Sequence, residues 1–131
     1  MNKTLYIIRG VPGSGKSTLV KYLTPYYVET DDYFTDSNGV YNFQLEKVPE
    51  SHKWALNELK FLMELGVTTI AVLDAFIKLD TMKPYKELGK TYGYNVIEIL
   101  VKSNFTNIHN ISEDRMNEIR SEFEFTPFKD S

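Results

Sequence analysis

Residues 9–18 read RGVPGSGKST, with three glycines, a proline and a lysine in ten positions. The apolar run LYII (residues 5–8) stands before this stretch, and the helical pattern LVKYL (residues 19–23) follows it. A passage from strand to helix with so few packing side chains makes sense when the main chain itself is the working surface. Gly10 to Ser17 fits the pattern G-x-x-x-x-G-K-[ST]. Glycine accepts positive φ and lets an anion come close, so successive N–H groups can converge on phosphate oxygens. A helix beginning at Lys16 adds the partial positive charge of its amino end. In this pattern Lys16 reaches the β- and γ-phosphates and the Ser17 hydroxyl binds Mg²⁺. Gly10, Pro12, Gly13, Ser14, Gly15, Lys16, Ser17 and Thr18 are the expected nucleotide contacts. ATP and Mg²⁺ are the expected cofactors.

The rest of the chain alternates apolar runs with helical patterns. Strands are expected over residues 5–8, 26–30, 67–73 and 96–101. Helices are expected over 16–23, stopped by Pro25, and over 50–65, where Ala55, Leu56, Leu59, Leu62 and Met63 recur at helical spacing. A third helix over 81–92 tolerates Pro84 in its first turn. Ser112 reads as the N-cap of a fourth, with Ile111 and Met116 as its hydrophobic staple and Met116, Ile119 and Phe123 as its buried stripe. Asp36 to Gly39 is a turn cluster at the tip of an excursion. This alternation predicts an α/β fold: a three-layer P-loop sandwich with a short parallel sheet of about four strands flanked by helices. Sites in such sheets lie at the carboxyl ends of the strands. That rule selects residues 10–17, Asp31 and Asp32, Asp74, and residues 103–110.

Composition narrows the class. At 131 residues and without repeats or linkers, the chain reads as a single domain over 1–131. No run approaches the length of a membrane span, and MNKTLYII is too short to be a signal peptide. The absence of cysteine removes disulfides and thiolate metal sites, and it fits a reducing cytoplasm as the expected compartment. A net charge of −3 disfavours non-specific coating of nucleic acid while leaving a local basic groove open.

Two large groups of phosphate-loop proteins are disfavoured by what is missing. A base-reading Asn-Lys-x-Asp is absent, and the nearest string, residues 77–80, is Ile-Lys-Leu-Asp. Remodelling ATPases pair Asp with Glu after the third strand, whereas Asp74 is followed by Ala75. What remains is a small kinase design, in which a hydroxyl attacks the γ-phosphate. That chemistry needs positioning, a metal, a base and cations that follow the moving charge.

The strings LYIIRGVPGSGKST, ETDDYF, GVYNF, SHKWA, MKPY and NIHNIS occur in this order. Together they resemble the polynucleotide-kinase-like P-loop family over about residues 4–123. The resemblance implies that Asp31 is the general base for a 5′-hydroxyl, with Asp32 beside it toward substrate or the metal shell. It implies that Asp74 serves catalysis by holding the metal, together with Ser17, or by orienting a cation. His52 is either a packed histidine at a helix start or a substrate contact, and Arg9 is a positioning residue. Tyr33 and Phe34 are expected in the core rather than stacked on a base. The family's lid arginines are missing from residues 103–111, which offer only His109; Lys102, Arg115 and Arg120 are the nearby cations. The acceptor implied is a nucleic-acid end or a nucleotide. Two other readings stay open: a nucleotide-binding module with decayed catalysis, and a small-molecule or toxin-type kinase.

Overall fold

The computed structural model describes residues 2–102 and 113–125. The expected roles of His109, of the Ser112 cap and of the Ile111–Met116 staple lie outside them, as do the side chains of Met116 and Arg120. The elements are β1 (Thr4–Arg9), α1 (Lys16–Val20), β2 (Tyr27–Glu29), α2 (Val48–Glu64), β3 (Thr69–Asp74), α3 (Lys83–Thr91), β4 (Asn95–Leu100) and α4 (Glu113–Glu122). Short 3-10 turns occupy Thr30–Phe34, Leu45–Lys47 and Leu79–Met82.

All four strands are parallel, in the order β2-β3-β1-β4. The architecture is the expected α/β one. Strand alternation assigns the two faces. Leu5, Ile7, Ile70 and Val72 point to one face, where they pack with Ala55, Leu59 and Met63 of α2 and Tyr85 of α3. Ile8, Ala71 and Leu73 point to the other, against Val20 of α1 with Leu19 and Leu23 beside it. Helices therefore cover both faces, which is why β1 and β3 read as continuous apolar runs.

Several boundaries differ from the sequence reading for identifiable reasons. α1 is shorter because Tyr22 and Leu23 donate to carbonyls three residues back, tightening the helix before Pro25. β2 spans three residues rather than five, since Thr30 already enters a 3-10 turn. α2 begins earlier, with Pro49 in its first turn, where the missing N–H is tolerated. α3 begins later, its expected start being taken by the turn Leu79–Met82. Phe34 is buried and packs its ring against Phe43 at a centroid distance of 5.0 Å, as expected of a core residue. Tyr33 is half-buried, with its hydroxyl donating to Glu50 at 2.8 Å.

Register brings the functional ends together. Arg9 lies opposite Asp74, and Glu29 lies opposite Leu73. The loop after β1, the turn after β2 and the loop after β3 thus leave the sheet side by side, at its carboxyl edge.

Candidate functional site

The loop between β1 and α1 closes on a bond from Ser14 N to Val11 O, 3.1 Å long. Gly13 and Gly15 take φ of 80° and 104°, which lets the chain reverse above the end of β1. Gly10 meets a different demand. A Cβ there would lie 2.6 Å from Ser14 Oγ and 2.7 Å from the carbonyl oxygen of Val101. Among the described residues the Ser14 hydroxyl, buried beneath the loop, has no hydrogen-bond partner, and Val101 N donates to Arg9 O at 2.8 Å. β4 therefore holds the floor of the loop against β1.

A cleft of about 770 Å³ opens above the loop. Pro12, Gly13, Gly15, Lys16, Ser17 and Thr18 line one side. Asp31, Asp74, His52 and Arg115 line it as well, joined by Glu29 and Tyr41. Of the sequence-derived candidates, Asp32 is not brought there: its side chain is exposed, outside the cleft lining. Gly10 and Ser14 are buried under the loop.

Lys16 Nζ donates to Gly10 O at 2.7 Å and to Val11 O at 3.2 Å, folding back over its own loop. Burial lowers its pKa, while Asp74, Asp31 and Glu29 act in the opposite direction. Asp31 sits in the 3-10 turn after β2. Tyr41 Oη donates to Asp31 Oδ1 at 3.3 Å. The chain returns to deliver Tyr41 through a turn in which Asp36 Oδ1 accepts from Asn38 N and Val40 N at 2.8 and 3.0 Å. Burial first, then the charge of Asp31, raises the Tyr41 pKa well above the ordinary phenol range, so the group remains a donor.

Asp74 ends β3, and both its oxygens accept from the protein: Oδ1 from the Thr30 hydroxyl and Oδ2 from Phe76 N, the latter at 2.8 Å. The carboxylate against the Ser17 hydroxyl is Glu29. Ser17 Oγ donates to Glu29 Oε1 at 2.9 Å. Burial raises the Glu29 pKa against the Ser17 hydrogen bond, with Asp32 and Asp31 adding to the rise and Lys16 opposing it. Hydroxyl and carboxylate are hard oxygen donors of the kind Mg²⁺ takes. Among the described residues no group of three or more His, Cys, Asp or Glu is arranged to hold a metal. Ser17, with Glu29 behind it, is such an oxygen donor.

His52 both packs and faces the cleft. Its Nδ1 lies 2.7 Å from Tyr85 Oη. Tyr85 is fully buried, and this ring nitrogen is the hydrogen-bond partner of its hydroxyl. Phe76 supports this pair. Its φ of 45° is costly for an aromatic residue, and its ring lies edge-on to Tyr85 at 5.3 Å.

Arg9 is fully buried on the α2–α3 face. It donates to Phe76 O at 2.6 Å and to Glu124 O, lies 3.7 Å from Glu98, and stacks over the Phe123 ring at 4.4 Å. Burial lowers its pKa, and Glu98 and Glu124 counteract. Arg9 thus fastens the segment after α4 to the loop that carries Asp74. Glu124 N adds a 2.7 Å bond to Ile77 O. From this anchorage α4 presents Arg115, paired with Glu118 at 3.1 Å, and Ile119 to the cleft. Lys102 lies over the Phe125 ring, at 5.3 Å, outside the cleft lining.

Glu29 and Tyr41 were not visible as site residues in the sequence. Glu29 carries one signal, an acidic side chain closing a strand just before Asp31. Tyr41 lies in the string GVYNF of the resemblance, but nothing there marked it for Asp31, because that contact depends on the whole excursion from 35 to 47.

Solved structures share this fold. A variant of the Mycobacterium tuberculosis APS kinase CysC superposes with a TM-score of 0.56 at 14% identity, covering 92% of this chain and 96% of that one. The same enzyme in complex with AMPPNP and APS gives 0.55 at 14% identity, over 77% of this chain and 63% of that one. A candidate kinase from Chloroflexus aurantiacus gives 0.59 at 19% identity, over 77% and 59%. The chain shares its α/β fold with these kinases. At these identities the likeness speaks for the fold alone. No family model matches the chain. In sequence it is 35% identical over 98 residues to NEDD4-binding protein 2 of Homo sapiens, a match that takes in 71% of this chain and 6% of that protein. Among the described residues no helix is long and apolar enough to cross a membrane.

Proposed function

We propose that the chain is one ATP-binding kinase domain that moves the γ-phosphoryl group of ATP to a hydroxyl, its acceptor being the 5′-hydroxyl of a nucleic-acid end or nucleotide. One observation carries this reading: Lys16 of the phosphate loop and the Tyr41-anchored Asp31 line the same cleft. A base and a phosphate-binding lysine in one cleft are what hydroxyl phosphorylation requires.

In this mechanism the loop amides and Lys16 hold the phosphates, Lys16 leaving the Gly10 and Val11 carbonyls to do so. Asp31 accepts the proton of the acceptor hydroxyl. That oxygen bonds to the γ-phosphorus as the bond to the β,γ-bridging oxygen breaks, and ADP leaves. Tyr41 keeps Asp31 oriented. Mg²⁺, when bound, neutralises charge on the phosphate oxygens, and Ser17 is the residue that would hold it. Asp74 acts through its bonds to Thr30 and Phe76 N, fixing the walls of the cleft. Arg115 is the α4 cation placed to follow the charge.

Labelled γ-phosphate is expected to pass to a 5′-hydroxyl oligonucleotide in the presence of Mg²⁺, and Lys16→Ala or Asp31→Ala should abolish the transfer. Failure with a panel of oligonucleotides and nucleosides would reject the reading. The lack of arginine in residues 103–111 favours one second reading, a nucleotide-binding module with only background turnover. An arginine at the transition state is worth about 10³ to 10⁵ in rate. Measurable ATP affinity without transfer to any acceptor would select that alternative.

A further inference from the structure

We infer that Glu29 is the residue that makes nucleotide binding depend on magnesium, acting as a positioning residue through Ser17; the inference rests on the phosphate-loop reading above. In the pattern G-x-x-x-x-G-K-[ST] the last hydroxyl serves the cation, yet a free serine rotates among staggered wells. Here the rotor is fixed: Ser17 Oγ gives its proton to Glu29 Oε1 at 2.9 Å. With the proton committed to that bond, the lone pairs of Ser17 are the part of the hydroxyl left for a cation. Such outer partners fix ligand orientation and raise ligand basicity.

Asp74, to which the family resemblance gives a metal role, accepts from the Thr30 hydroxyl at Oδ1 and from Phe76 N at Oδ2. Glu29 instead comes from the end of β2, one strand further across the sheet. Its charge has a second effect. Glu29, Asp31 and Asp74 line the cleft together with Lys16. A triphosphate arriving without metal meets these three carboxylates as well as the cations Lys16, Lys78 and Arg115 in the cleft lining. Removing Glu29 should therefore help metal-free nucleotide and harm the magnesium complex.

Calorimetric titration with a non-hydrolysable ATP analogue tests this, in Mg²⁺ and in EDTA, for the wild type, Glu29→Ala and Glu29→Gln. The readout is the gain in affinity that Mg²⁺ confers. Glu29→Ala should cut that gain by about 10-fold or more, with affinity in EDTA equal to or above wild type. Glu29→Gln keeps the acceptor oxygen and the volume but loses the charge, so it should show a smaller loss of the same sign. A merely structural role would weaken binding in both media alike, and that result overturns the inference. So does an undiminished gain in both variants, or a wild type that binds the analogue equally well with and without Mg²⁺. A wild type that binds no nucleotide in either medium would reject the phosphate-loop reading itself.

Discussion

Gly10 illustrates how a single position can decide a site. The two atoms that a Cβ would meet differ in their freedom to move. Ser14 Oγ belongs to a side chain, but the Val101 oxygen is backbone, in a residue held by the bond from Val101 N to Arg9 O just past the end of β4. Gly10→Ala should therefore lift the loop, lowering stability by about 1–3 kcal/mol and weakening nucleotide affinity in calorimetry. Combining it with Ser14→Gly should not restore binding, since the carbonyl remains in place; recovery in the double variant would refute this account. The loop itself was legible because the motif is local: spacing alone reveals Lys16 and Ser17. Glu29 was not. A glutamate closing a three-residue strand looks like a solvent-facing end until β3 places it across from α1. Asp74 was legible as a site residue, but the direction of its oxygens was not, because Thr30 and the strained Phe76 are brought to it by tertiary structure.

Among the elements, α4 has the weakest apolar pattern and the most specific fastening. Ile119 and Phe123 bury themselves as the sequence suggested. What seats the segment is Arg9, which the sequence marked only as a positioning residue beside the loop. Its guanidinium serves the carbonyls of both Phe76 and Glu124. Arg9→Met would keep much of the volume and leave those carbonyls without their charged donor. The expected loss is about 1.5–3 kcal/mol, the range for hydrogen bonds to a charged group, measured by urea unfolding. Hydrogen exchange should localise the effect: the Glu124 amide, bonded to Ile77 O, should exchange faster, while amides of β3 remain protected. Uniform acceleration across both would mean that Arg9 stabilises the sheet in general rather than this latch. Apolar runs made the strands readable at this scale. Boundaries drifted where side chains or 3-10 turns compete with the helix, as at Thr30 and Leu79.

For the whole molecule, alternation of strand and helix implied a parallel sheet with a site at its carboxyl edge, but not the order β2-β3-β1-β4. That order depends on which apolar faces find each other, and it is what sets Tyr85 of α3 beneath His52 of α2. The buried Tyr85 phenol carries a pH dependence. Burial, with Asp74 adding to it, raises the pKa far above the usual phenol value near 10. A raised folded pKa means that the contribution is fully present below the unfolded value and declines as pH climbs toward the folded one. Between those limits the unfolded chain releases the proton first, so stability falls by about 1.4 kcal/mol per pH unit for this group. Tyr85→Phe should therefore change sign of effect with pH. At neutral pH it removes the hydroxyl that is hydrogen-bonded to His52 Nδ1 and should destabilise by about 1 kcal/mol. Above about pH 10 it also removes the group that ionises on unfolding, so the variant's stability should decline more gently than the wild type's and overtake it. Parallel decline of the two in urea unfolding from pH 8 to 11 would show that alkaline sensitivity resides elsewhere, with Tyr41, whose pKa is raised by burial and by Asp31, the next phenol to replace.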